Sequence, residues 1–204
     1  MRITLLYLWL MLALIASLAT LTSCSEKNVK EKLPATYFDA TFGVSKEVVT
    51  NGFTKHGMKV ENEEESMVMF SAAAGDSISY EGQAWDQVSA GFFKGKFIVI
   101  DFLRIHENDS VAAEDYNRIL ADLKGKYEMK EIPQENMPDS AVLKCAGYNA
   151  GKRAMSFTLR KGHTSDNGVL WYCTLQFCNP NIADETPKAV KVIDHFRRLT
   201  QKRK

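Results

Sequence analysis

The sequence is poor in the residues that most functional classes require. It has four cysteines and four histidines in 204 residues. No Cys-x-x-Cys or His-Glu-x-x-His spacing occurs, which removes the common zinc and thiol-redox motifs. A glycine-rich phosphate loop is missing as well. Neither charge dominates, with 26 Lys and Arg against 25 Asp and Glu. No basic footprint marks a nucleic-acid surface, and no acidic, weakly apolar bias marks disorder. After residue 23 no apolar run approaches the ~20 residues of a membrane-spanning helix.

What is present begins at the N-terminus. Met1-Arg2 is a short positive end, and residues 5–21 form an almost unbroken apolar run. Leu21-Thr22-Ser23-Cys24 closes it. These are the parts of a secretory signal, so residues 1–23 do not count toward the fold. The closing tetrapeptide resembles the lipobox of bacterial lipoproteins, and the overall style resembles small lipoproteins of the Bacteroidota. The resemblance implies cleavage before Cys24, a diacylglyceryl thioether on Cys24, and acylation (palmitate-type) of the new N-terminus. Several acyl chains at ~0.8 kcal/mol per buried CH₂ make a stable anchor. Ser25 after the cysteine resembles lipoproteins destined for the outer membrane. Glu26 and Glu31 stand among Lys27, Lys30 and Lys32, which matches the acidic surface-export signal of that group poorly. The periplasmic and outward faces both stay open. Residues 24–36 read as a solvated tether.

Residues 37–204 read as one body. Helical spacing is expected at 45–56, 111–124 and 187–201. Ser45 is placed as the cap of the first helix and Asp109-Ser110 as the cap of the second. The third carries Val192, Ile193, Phe196 and Leu199 as its apolar stripe. Between the helices the period falls to two. Residues 84–104 read as a hairpin whose second arm is apolar on both faces, the mark of a central strand. Residues 152–177 read as a second hairpin around a turn at 162–168. The expected class is α+β, with antiparallel sheet and about three helices packed on one face. The element order allows two degenerate helix-plus-four-strand halves, 37–108 and 109–204. That order resembles the tandem architecture of the β-lactamase-inhibitor-protein type, a likeness of fold that says little of function.

Few constellations carry chemistry. Ala74-Gly75-Asp76-Ser77-Ile78 resembles the Gly-Asp-Ser block of GDSL-type hydrolases, which implies Ser77 as nucleophile. Such a serine needs a histidine to take its proton. The only local pair, Asp194-His195, is adjacent in sequence and diverges on a helix. Asp, Gly and Ser also make an ordinary turn. Alternation points Cys145 and Cys173 inward together, so a Cys145–Cys173 disulfide is compatible with the pattern; buried thiols are the plainer reading. None of His56, His106, His163 and His195 has metal-ligand spacing, and no cofactor is implied. Residues 61–65, Glu-Asn-Glu-Glu-Glu, read as a solvated acidic loop. Tyr80, Tyr148 and Tyr172 fall on polar faces or loops, where aromatics can meet a glycan or a partner protein. The expected function is therefore a membrane-anchored, non-enzymatic binding or assembly module of the cell envelope. The alternatives are an envelope serine hydrolase using Ser77 and a structural envelope-integrity protein.

Overall fold

The computed structural model describes residues 32–73, 76–137, 140–150, 153–164 and 168–179. The short strands β1 (Thr36–Tyr37) and β2 (Ala40–Thr41) come first, then helix α1 (Lys46–Lys55). Next are β3 (Lys59–Glu64), β4 (Met67–Ser71), β5 (Ile78–Tyr80), β6 (Gln83–Trp85), β7 (Gln87–Phe93) and β8 (Lys96–His106). Helix α2 (Asp109–Lys126) follows, then β9 (Lys130–Glu131), a 3-10 turn (Gln134–Asn136), β10 (Val142–Asn149), β11 (Ala154–His163) and β12 (Val169–Cys178). The described residues form one compact unit. No helix among the described residues is long and apolar enough to cross a membrane.

Eight strands make one antiparallel sheet, in the order β3-β4-β7-β8-β12-β11-β10-β9. The expected α+β class with about three helices is overturned. Half of the described residues lie in strands, and only two helices accompany them. The expected helix at 187–201 lies outside the described residues. Part of the strand excess comes from segments with no readable alternation. β3 was expected as an acidic loop, yet its Glu63 and Glu64 pair with Val68 and Met67 of β4. It is an edge strand with nearly every side chain exposed, so no apolar face betrays it.

β8 is the central strand that its composition predicts. Seven consecutive residues, Phe97 to Leu103, are buried. It pairs with β7 on one side and β12 on the other. A register shift at Gly91/Phe92 accompanies the turning of Phe97 toward the helix-bearing side. There Phe97 meets Tyr37, Phe42, Phe53 and Phe92. Phe102 stacks on Tyr80 at 4.1 Å, and Tyr116 of α2 stacks on Phe157 of β11 at 4.7 Å. The opposite face is buried too, with Met67, Met69, Val99 and Leu103 around a polar row of Ser89, Asp101 and Gln176 in register.

The helices begin differently from expectation. Ser45 gives α1 no side-chain cap; its backbone instead bridges to Lys96. Asn108, not Asp109 or Ser110, caps α2, its Oδ1 accepting from the amides of Ser110 and Val111. Gly52 lies where α1 crosses the β1–β2 turn. A Cβ there would stand 2.5 Å from the Phe38 carbonyl oxygen. That turn holds Phe38 and Asp39 at φ +46 and +67, a conformation that suits glycine or asparagine in a two-residue hairpin. Gly52→Ala is therefore expected to cost about 2 kcal/mol through overpacking, read as a lower urea midpoint with unchanged slope. An unchanged midpoint would show that helix and turn are loosely apposed.

Candidate functional site

Two features toward the same end of the sheet gather polar side chains. The first is a cleft of about 460 Å³, within the range of small-ligand sites. The β1–β2 turn contributes Phe38, and the end of α1 contributes His56 and Gly57. Met58, the residues leaving β4 (Ala72, Ala73) and those entering β5 (Asp76 to Ser79) complete the lining. His56 is placed where α1 stops, just before Gly57 at φ +82. Its Nε2 lies 3.1 Å from Asp39 Oδ2, with both side chains well exposed. The left-handed turn aims that carboxylate. Phe38 packs edge-on against Phe53 at 5.1 Å and lies 5.5 Å from the His56 ring.

The structure thus brings Ser77 and Asp76 into one cleft with His56, a histidine 21 residues upstream that the sequence offered no reason to join to them. With Nε2 donating to Asp39, Nδ1 is the imidazole atom able to accept a proton. Asp194 and His195 lie outside the described residues. Tyr80 and Tyr172, expected on polar faces, are not free platforms. Tyr80 is half-buried and stacked on Phe102, and Tyr172 is buried. Burial pushes the Tyr80 phenol well above its ordinary range.

The second feature joins β8, α2 and β12. Asp115 of α2 accepts from Arg104 Nη1 at 2.9 Å through both carboxylate oxygens. Arg118 Nη2 donates to its Oδ1 at 2.6 Å, and His106 Nε2 lies 3.2 Å from Oδ2. Arg118 also donates to Gln83 of β6 at 2.7 Å, tying the small hairpin to the helix. Cys173 lies beneath. Its sulfur and the donor atoms of His106 and Asp115 fall within 4.8 Å of one another, a set that sequence spacing could not reveal. It resembles a metal cluster in composition but not in electrostatics. Burial, with Asp115 adding to it, pushes the Cys173 thiol up to about 12, and two guanidiniums already neutralise Asp115. A cation would sit against both of them. The network is a clamp between helix and sheet.

No disulfide joins Cys145 and Cys173. β11 separates their strands. Cys145 shares a row with Thr158 and Thr174, so Cys173, the neighbour of Thr174, faces the other way. A register shift between Val142 and Lys144 inverts the expected parity. Cys178, half-buried, is in no disulfide either. Comparison with protein-family models, curated proteins and solved structures finds no match to this chain.

The clamp has a pH signature. Burial alone would raise the Asp115 pKa, but hydrogen bonds from Arg118 and Arg104 and their charges outweigh it and hold it below the ordinary value. A carboxylate depressed in the folded state contributes stability above its unfolded pKa and loses it as pH falls through the folded one. Asp115→Asn is expected to cost about 2 kcal/mol at neutral pH, because it leaves Arg104 poorly compensated. The gap from the unaltered chain should close progressively below about pH 4. Thermal melts across pH 2–7 read both; a gap independent of pH would remove the charge from this account.

Proposed function

We propose that this chain is a lipid-anchored envelope protein, fixed to the outer membrane through Cys24, whose body is a non-enzymatic binding or assembly module. The supporting observation is where the body starts relative to the lipobox. Leu33 is buried, and its carbonyl accepts from Arg153 Nη1 at 2.9 Å. Leu33 is nine positions beyond Cys24, a span of at most about 30 Å. Arg153 closes the β10–β11 turn, with Ala150 N donating to its carbonyl. The described chain therefore enters the body at the end of the sheet where Ala154, Cys178 and Val99 lie in one row. His106 and Trp171 form the row seven residues further along β8 and β12, about 23 Å away. The Arg104–Asp115–Arg118 clamp lies toward that far end, and Ala72 and Ala73 leave β4 in the same direction. The polar features thus gather at the end of the sheet opposite the chain's entry, where a partner can meet them together. The partner is an envelope protein or a glycan.

Metabolic labelling tests the anchor. Palmitate incorporation is expected in the unaltered chain and lost in Cys24→Ala; label that persists in the variant defeats the anchor. Protease shaving of intact cells then assigns the face, and crosslinked pull-down should recover a partner above background. Recovery of none counts against the binding module.

A second reading is favoured by one observation, the placement of Ser77 and His56 in one cleft. In an envelope hydrolase, Ser77 Oγ would attack an ester carbonyl while His56 takes the hydroxyl proton and passes it to the leaving alcohol. Water, deprotonated by the same imidazole, would then release the acid and restore Ser77. Fluorophosphonate labelling separates the two readings. The binding module predicts no label; label abolished in both Ser77→Ala and His56→Ala would replace it with the hydrolase.

A further inference from the structure

The face of the sheet turned away from both helices is buried along a diagonal band. Four rows of paired residues cross that face. The first holds Met67, Gly91, Val99 and Cys178, and the second holds Met69, Ser89, Asp101 and Gln176. The third holds Leu103, Thr174, Thr158 and Cys145, and the fourth holds Tyr172 and Arg160. Burial starts over β4, β7 and β8 in the first row and ends over β12 and β11 in the fourth. The corners off this diagonal are less covered. Asn149 is exposed and Ala154 half-buried at one corner, and Ser71, Gln87 and Ile105 are half-buried at the other. Among the described residues, the helices and the small hairpin pack on the opposite side. There Phe53 of α1 meets Phe70 and Phe97, Trp85 of β6 meets Phe102, and Tyr116 of α2 meets Phe157. The band is buried within a single chain, so a second copy does not supply its cover.

We infer that residues 180–204 lie along this band and cover it. Outside the described residues stand 1–31, 180–204 and four gaps of two or three residues, and the gaps are too short to span it. Residues 1–23 leave at the lipobox, the one point at which the inference rests on the lipid-anchored reading above. Residues 25–31 offer one large apolar side chain, Val29. Residues 180–204 offer the stripe Val192, Ile193, Phe196 and Leu199. They also start in the right place. The amide of Asn179 donates to the Ile98 carbonyl at 3.0 Å, which keeps the end of β12 beside β8, where the band begins. From Met67 to Arg160 the band runs about 28 Å, four strand spacings across and three rows along. Even at the short rise of about 1.5 Å per residue, a chain of this length reaches about 37 Å. Charge fits as well. Asp101, buried at the middle of the band, calls for cations or donors and has an interaction partner. The segment carries seven Lys and Arg against three Asp and Glu. A covered face is closed to partners, which leaves the cleft and the clamp as the surfaces of the binding module.

The full chain, expressed with a photoreactive methionine analogue, tests the occupant. On illumination, positions 67 and 69 should crosslink to peptides from 180–204, and position 155, on the other face, should not. Crosslinks from 67 and 69 to residues 1–31, or to a second copy in a mixture of light and heavy chains, overturn the inference. Site-resolved alkylation gives an independent measurement. Cys145 lies in the band and Cys173 on the helix-bearing face, and both are buried. In I193D/F196D, Cys145 should react with N-ethylmaleimide at least about tenfold faster than in the unaltered chain, while Cys173 keeps its slow rate. A Cys145 that stays shielded in that variant overturns the inference. Palmitate uptake at Cys24 reports on the anchor separately, so loss of uptake with the crosslinks intact defeats the anchor alone.

Discussion

The ladder between β8 and β12 joins two stretches of chain that are far apart in sequence, pairing Val99 with Cys178 and His106 with Trp171. Everything else hangs on this seam. The four strands β3, β4, β7 and β8 follow α1, the four strands β9 to β12 follow α2, and the two groups meet only there in the sheet. α2 lies across the join, with Ala112 beside Cys173 and Tyr116 on Phe157. The Asp115 clamp then fastens helix to sheet at one end of it. Closing so long a loop costs entropy before any contact repays it. Formation of the seam is accordingly the step expected to set the pace of folding.

Aromatic packing supports this arrangement and tolerates strain within it. Phe38 and Asp39 hold left-handed backbone conformations that cost on the order of 1–3 kcal/mol each without glycine. Phe38 offsets part of that cost by packing near Phe53, Tyr80 and Phe102. Gly52 gives the turn room to lie against α1. The result is a carboxylate aimed at His56 from a position that a relaxed turn would not provide.

The elements legible in the sequence were those with a strong period. The two-sided apolar run of β8, the alternation of β11 and β12, and the stripe Ala112, Tyr116, Ile119, Leu120 and Leu123 of α2 all report burial directly. What stayed hidden had no period to show. β3 lacks an apolar face, and β1, β2, β5 and β6 are two or three residues long. A single register shift in β10 reversed the face of Cys145. The site residues were harder still. His56 meets Asp39 across 17 positions of sequence. Arg104 and Asp115 sit on a strand and a helix whose docking angle no local pattern encodes. Ser77 was visible as a motif, but its companion in the cleft was not.

The two margins of the sheet bear on how crowded neighbours would behave. One margin is β3, whose outward side chains are dominated by glutamate; the other is β9, two residues long. An open margin invites a neighbouring sheet to add on, and negative charge or brevity discourages it. Confinement to a bilayer raises encounter frequency far above that of a dilute solution and keeps copies in similar orientations. A protein held in this way would face lateral fibre growth as a constant hazard. Mutual repulsion along one margin and a blunted opposite margin would let many copies share a surface without polymerising.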